Sequence, residues 1–326
     1  MPRRLIPILL CAAALARAAG PDAYLFTYFT GNGEDGLHLA WSRDGYNWSA
    51  LNGGRSVLAP AVGTKERLVR DPCVVIGPDG LFHVVWTCGW WDRGIGYAAS
   101  KDLVHWSAEQ LIPVMAAEPA ARNCWAPEIV WDKARSDYLI HWATTIPGRF
   151  PETAGSSEDQ LNHRIYFTTT RDFQAFAPTR LLYDPGFSEI DATFLDANDR
   201  LYLIIKDETV TPPRKHLRMA AADSYEGPFH DLSAPISPAG VWAEGPTAIM
   251  VGDYAVVYFD AYKLRRYGAV RSRDLRNWED VSPMLHVPGE GTPRRMRHGT
   301  AIRVPYAAIA PLVTPAAEAS GDSPRP

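Results

Sequence analysis

A short turn pattern recurs along this chain, and no other feature restricts its fold more. Ser42-Arg43-Asp44-Gly45-Tyr46-Asn47-Trp48 returns as Ser100-Lys101-Asp102-Leu103-Val104-His105-Trp106 and as Ser272-Arg273-Asp274-Leu275-Arg276-Asn277-Trp278. Weaker copies occupy residues 170–176 and 222–229. An Asp in a tight turn, with an aromatic four or five residues on, can pin the turn to its own sheet. Each copy follows a short strand-like stretch. Upstream of four copies, two apolar stretches with period-2 faces flank a Gly/Asp/Asn turn, as at Gly77-Pro78-Asp79-Gly80. Units of about 50 to 70 residues, each with about four strands, predict an all-β chain folded as a β-propeller. Four sets are complete. The fifth is split between residues 24–48 and a lone strand at residues 297–304. Joining them closes a five-bladed ring, with the C-terminal strand completing the N-terminal blade, and leaves no open sheet edge. One domain, residues 19–308, is expected.

In such a ring the first strand of each blade lines the central channel, so the heads of those strands converge on one mouth. The heads read Asp71-Pro72, Ala126-Pro127-Glu128, Asp191-Ala192, Glu244-Gly245-Pro246 and His298-Gly299. Three carboxylates, Asp71, Asp191 and Glu244, thus come from three blades. Clustered carboxylates are costly unless they bind a cation or do acid–base work. Glycoside cleavage needs one carboxylic acid to protonate the leaving oxygen and another to activate water or to attack. A third negative charge nearby raises the pKa of the acid.

Arg70-Asp71-Pro72, Trp125-Ala126-Pro127-Glu128, Ile190-Asp191-Ala192-Thr193-Phe194, Glu244-Gly245-Pro246 and His298-Gly299-Thr300, in this order, resemble glycoside hydrolase family 43. The resemblance implies a five-bladed propeller acting by inversion on arabinose-, xylose- or galactose-containing glycans, of the α-L-arabinofuranosidase or β-xylosidase type. It implies Asp71 as general base, Asp191 as pKa modulator and orienter, and Glu244 as general acid. Their mechanism would be a single displacement, with Asp71 and Glu244 about 6.5–9.5 Å apart to admit a water. It also implies that His298 lies near a central calcium held largely by water, although the sequence shows no oxygen-rich calcium loop; no cofactor is required. Two positions depart from the family pattern: Ala192 stands where Pro often follows the Asp, and Glu128 where Asp is usual.

Further residues are candidates for substrate contact. The chain has 11 Trp, and aromatic rings suit the stacking of sugars. Trp90, Trp91 and Trp125 are candidates for a stacking wall; on a strand, Trp90 and Trp91 would face opposite sides. Arg266, with Arg265 beside it, Arg297 and His298 are candidates for meeting the substrate or balancing the carboxylates. The pairs Arg122-Asn123 and His163-Arg164 flank strands and are candidates for bonding sugar hydroxyls, with surface salt bridges the alternative, and the polar loop of residues 146–162 is a candidate pocket wall.

At the N-terminus, Arg3-Arg4, an apolar stretch and Ala16-Arg17-Ala18 read as a signal peptide over residues 1–18, hence a secreted or periplasmic protein. Residues 309–326 read as a disordered tail. No apolar run reaches the ~18 residues of a membrane span. With 33 Lys+Arg against 37 Asp+Glu, there is no basic footprint for nucleic acid. Beyond the leader, Cys73, Cys88 and Cys124 make an odd count, read as small buried residues, with a Cys73–Cys88 pairing the alternative.

Other functions fit less well. A sialidase-like propeller shares the Ser-x-Asp turns but calls for an arginine cluster and a Tyr nucleophile. A fructan-cleaving propeller calls for a nucleophilic Asp upstream, which residues 24–69 lack in the required motif. A non-catalytic sugar-binding propeller would normally have lost one of the three acids.

Overall fold

Short apolar stretches between turn signals form twenty strands in the computed structural model, which describes residues 22–313. The strands β1 (Asp22–Phe29), β2 (His38–Ser42) and β3 (Ser49–Ala50) belong to the first blade. The second holds β4 (Arg70–Ile76), β5 (Phe82–Thr87), β6 (Ile95–Ser100) and β7 (Gln110–Ile112). The third holds β8 (Trp125–Asp132), β9 (Asp137–Thr145), β10 (His163–Thr170) and β11 (Arg180–Tyr183). The fourth holds β12 (Glu189–Ala197), β13 (Arg200–Asp207), β14 (Leu217–Ala222) and β15 (Phe229–His230). The fifth holds β16 (Glu244–Val251), β17 (Tyr254–Ala261), β18 (Arg266–Ser272) and β19 (Glu279–Asp280). The last strand, β20 (Arg297–Pro305), pairs antiparallel with β1, Leu25 opposite Ile302, and completes the first blade. The expected five-bladed propeller and its closure are therefore both present.

Burial on both faces of each blade explains the nearly continuous apolar strands. In β5, Val84 and Trp86 enter one hydrophobic cluster and Val85 enters the next. In β1, Leu25 and Phe26 divide in the same way. Among the described residues there are five such clusters, one at each blade interface. Each large side chain buried there contributes roughly 1.5–3 kcal/mol. The ring is thus held by five equivalent interfaces rather than by one central core.

The repeated turn works through its own side chains. Ser42 Oγ accepts from the Gly45 N–H at 2.9 Å, and Asp44 Oδ1 accepts from the N–H groups of Tyr46 and Asn47 at 2.8 Å each. Ser100/Asp102, Thr170/Asp172 and Ser272/Asp274 repeat this. The aromatic does more than pin its own blade. Trp48 Nε1 donates to the Gly45 carbonyl, and the Tyr258 hydroxyl of the neighbouring blade donates to the same oxygen. The turn is a rivet between blades.

The chain end differs from expectation. Residues 309–312 are not a disordered tail: Ile309 and Leu312 pack into the cluster between the first two blades. The expected signal peptide, and residues 314–326, lie outside the described residues. Cys73, Cys88 and Cys124 are buried and unpaired, so the alternative Cys73–Cys88 bridge is absent. No helix among the described residues is long and apolar enough to cross a membrane.

Candidate active site

Every channel-lining strand breaks its ladder at its head. The register slips between Arg70 and Cys73 in β4, Trp125 and Glu128 in β8, Ile190 and Thr193 in β12, and Glu244 and Thr247 in β16. The β20–β1 ladder slips beside His298. At each of the first four bulges one residue is left-handed: Asp71 (φ 50°), Ala126 (φ 47°), Asp191 (φ 54°) and Gly245 (φ 57°). Bulges re-aim side chains and mark active sites. Asp and Gly tolerate this conformation well.

These bulges set the levels of the mouth, and the three acids do not share one level. Asp71, Asp191 and His298 are the bulged residues, whereas Glu244 stands one position earlier, equivalent to Arg70, Trp125, Ile190 and Arg297. Two positions after the bulged residue come Cys73, Glu128, Thr193, Thr247 and Thr300. This third level heads a cavity of about 400 Å³ lined by all five inner strands.

The structure brings Asp71, Asp191, Glu244, Arg297 and His298 to one mouth, where two bonded groups, Asp71 with His298 and Asp191 with Glu244 and Arg297, form a network joined by charge. Asp71 Oδ2 accepts from Thr87 Oγ1 at 2.8 Å, and its Oδ1 lies 3.2 Å from His298 Nδ1. Burial acts to raise the Asp71 pKa. The His298 charge and hydrogen bond, with Arg70 and Thr87, overcome it and hold the carboxyl well below its usual range. Burial likewise opposes the charge of His298, but Asp71 and Asp191 push it up to about 9. Asp191 is pushed up to about 6 by burial, against the pull of His298 and Lys206. Its Oδ2 accepts from the N–H of Gly245 at 2.9 Å, which fixes the bulge that presents Glu244. Glu244 is gripped from both sides, Oε1 by Arg297 at 3.1 Å and Oε2 by Lys206 at 3.2 Å.

Reading the strand heads missed the residues that hold this network. Lys206, buried in β13, also meets Glu208 at 2.6 Å, and Glu208 pairs with the buried Lys215 at 2.7 Å. Lys215 in turn lies 3.6 Å from Glu158 of the 146–162 loop. Asp260, buried in β17, holds Arg295 at 2.8 Å and Arg297 at 3.2 Å. All stand behind the heads, on second strands and loops.

The aromatic wall differs from the strand picture. Trp90 and Trp91 follow β5 in a turn, so strand alternation does not apply, and both rings meet Trp125, at 5.6 and 5.9 Å. Trp91 is 48% exposed. Of the suggested hydroxyl-binding pairs, Asn123, His163 and Arg164 are buried in structural roles: Asn123 bonds His163, and Arg164 pairs with Asp184. Arg122 lies over the Trp91 ring. Arg266 is exposed at the start of β18 and makes no ion pair or hydrogen bond through its side chain among the described residues, so it is no part of the network.

No cluster of three or more His, Cys, Asp or Glu side chains is placed to hold a metal among the described residues. His298 turns Nδ1 to Asp71 Oδ1 at 3.2 Å.

Glu128 gives a pH prediction. Burial pushes it up to about 8 from 4.5, while Thr193 and His298 pull down. The folded protein therefore holds a proton on Glu128 that the unfolded chain has lost, so stability falls as pH rises through that window. His298, raised from 6.5 to about 9, acts in the same sense: its contribution is complete below the unfolded value and lost through the folded one. Glu128→Gln removes the first effect and, since the Glu128 charge helps to raise His298, a small part of the second. Its Tm should match wild type near pH 4 and exceed it by several degrees at pH 8 and above; a constant difference across pH would refute the assignment.

Fold and acids define a class, a five-bladed propeller of the glycoside hydrolase type. The chain belongs to a family related to glycoside hydrolase family 43 and described as "Probable glycosyl hydrolase domain", whose sequence model matches residues 21–308. An α-L-arabinofuranosidase of Bifidobacterium longum subsp. longum is 24% identical over 221 residues, covering 59% of this chain. This chain spans only 20% of that relative's length. Among solved structures, a mutant of the family 43 protein BlXynB of Bacillus licheniformis superposes with a TM-score of 0.52 at 15% identity, over 71% of this chain and 45% of that one. An α-L-arabinofuranosidase of Lactobacillus brevis gives 0.51 at 14% identity, over 66% and 72%. At these identities the two structures show a shared fold.

Proposed function

We propose that the protein is a secreted or periplasmic glycoside hydrolase that cleaves terminal or side-chain sugars of plant-type glycans by a single inverting displacement. The observation that carries this reading is the division of environments among three acids from three blades. His298, Arg70 and Thr87 keep Asp71 ionised despite burial, as a general base must be. Glu244, from another blade, is aimed by the Asp191–Gly245 bond and gripped by Arg297 and Lys206. In the proposed step Asp71 takes a proton from water as the water oxygen attacks the anomeric carbon. Glu244 gives its proton to the departing glycosidic oxygen. Asp191 positions Glu244 through the bulge. Trp91 and Trp125 offer faces for the sugar. All three acids are present, which favours turnover over a purely binding role. The apolar leader read over residues 1–18 supports export toward an extracellular glycan.

The test is sugar release from arabinan, arabinoxylan, xylan and galactan, with the product anomer followed by NMR in the first minutes. A single monosaccharide of inverted configuration is expected. Retained configuration would overturn the mechanism, oligomeric products would overturn terminal cleavage, and sugar binding without release would leave a binding propeller.

A further inference from the structure

Five Arg or Lys side chains are buried among the described residues: Arg70, Arg164, Lys206, Lys215 and Arg295. Four have a carboxylate in contact, Asp184, Glu208 and Glu244, Glu208, and Asp260 respectively. Arg70 has none within 4.0 Å among the described residues. A buried charge without a partner is costly, so this one calls for an explanation.

Its setting is that of a prepared donor. The guanidinium lies between two rings, 4.2 Å from the Trp90 centroid and 4.7 Å from that of Phe29. One nitrogen, Nη1, is tied to the loop between β1 and β2, donating to Asn32 Oδ1 at 2.8 Å and to the Asn32 carbonyl at 3.3 Å. Nε and Nη2 bond nothing among the described residues, yet they are not sealed from solvent. Arg70 directly precedes Asp71 and occupies the bulge position equivalent to Glu244, so its head belongs to the uppermost level of the mouth. Burial bears against its charge, offset only by the longer-range fields of Asp71, Glu244 and Asp191, with Arg297 adding to the opposition.

We propose that Arg70 is a specificity-determining residue that grips the carboxylate of a uronic acid unit in the glycan. A carboxylate supplies what the residue lacks, two coplanar acceptor oxygens and a negative charge, and guanidinium groups match that geometry bidentately. Charge balance points the same way. Arg297 and Lys206 each keep a carboxylate besides Glu244, Asp260 and Glu208 respectively, so among the buried cations of the described residues only the Arg70 charge has no counter-ion in contact. A neutral hydroxyl pair would fill the hydrogen bonds and leave the charge unanswered. This inference rests on the glycosidase reading and names the substrate class within it.

The test separates the two. Binding of D-glucuronate and D-galacturonate, against D-glucose and D-galactose, is measured calorimetrically on the whole protein at pH 7 and low salt. At least one uronate should bind about tenfold or more tighter than its neutral parent, and the preference should weaken with salt. Arg70→Gln should abolish the preference, read as the ratio of uronate to neutral-sugar affinity within the same variant, and Arg70→Lys should restore part of it. Equal affinities in wild type, no uronate binding, or a preference that survives in Arg70→Gln overturns the proposal; an unchanged circular dichroism spectrum certifies each variant. In parallel, glucuronoxylan oligosaccharides and their carboxyl-reduced counterparts are offered as substrates. Faster cleavage of the acidic form, lost in Arg70→Gln, supports both readings. Uronate-selective binding without cleavage of any glycan sinks the hydrolase reading and keeps the Arg70 site. Cleavage indifferent to the carboxylate does the reverse.

Discussion

Glu244→Gln is expected to lower kcat/KM on unactivated glycosides by about 10³-fold while sparing most of the rate on a dinitrophenyl glycoside of the same sugar. The reason lies in the leaving group. A sugar alkoxide must be protonated as it departs, and Gln has no proton of the right acidity to give. Dinitrophenolate leaves without help. Gln keeps the volume of Glu, and Arg297 and Lys206 remain tied to Asp260 and Glu208, so the mouth keeps its shape. Asp71→Asn should behave differently, losing about 10³-fold on both substrates, because water must be activated whatever departs. Comparing two variants on two substrates therefore assigns two roles. Equal losses for Glu244→Gln on both substrates would show that this side chain holds the site together rather than donating a proton. An active Asp71→Asn would end the single-displacement mechanism.

The fold was legible because its decisive interactions are local. A Ser or Thr and an Asp two residues on bond their own turn's backbone, so each rivet is written in about seven consecutive residues. The closure was legible because one unit lacked an inner strand and another stretch supplied one. The three acids were legible as strand heads, but their levels were not. A bulge is one extra backbone residue, and Asp71, Ala126, Asp191 and Gly245 share no side-chain type that announces it. Hence the strand heads alone do not show that Glu244 stands one position before the level of Asp71 and Asp191. The supporting charges left a fainter trace. Lys206-Asp207-Glu208 ends the apolar run of β13, and Asp260 interrupts that of β17. A charge inside a strand buried on both faces must find a partner, and reading those two strands for partners would have pointed to Glu244 and Arg297. Arg70 was seen only as the first letter of a motif. That no carboxylate of the described residues lies within 4.0 Å of it is a property of three dimensions alone.

Gly245→Ala is the substitution that joins fold to site most directly. Gly245 has φ +57°, and a Cβ there would lie 2.2 Å from His298 Cγ and 2.6 Å from His298 Cδ2. The ring has little freedom to retreat, because Nδ1 is held to Asp71. The bulge must move instead, and the Gly245 N–H that Asp191 holds moves with it. Gly252 provides the control. It has nearly the same conformation, φ +56°, with nothing within 4 Å of an added Cβ. Gly252→Ala should therefore cost only the backbone preference, about 1 kcal/mol, with activity intact. Gly245→Ala adds the overlap with His298 and should cost about 3 kcal/mol or more in all. Since Glu244 is the preceding residue, a displacement of about 1 Å should also lower kcat about 10²-fold. Denaturant melts and kcat for the two variants decide the matter. Equal melts would mean that His298 yields freely and does not brace the bulge. A destabilised but fully active Gly245→Ala would mean that the placement of Glu244 does not depend on the Asp191–Gly245 bond.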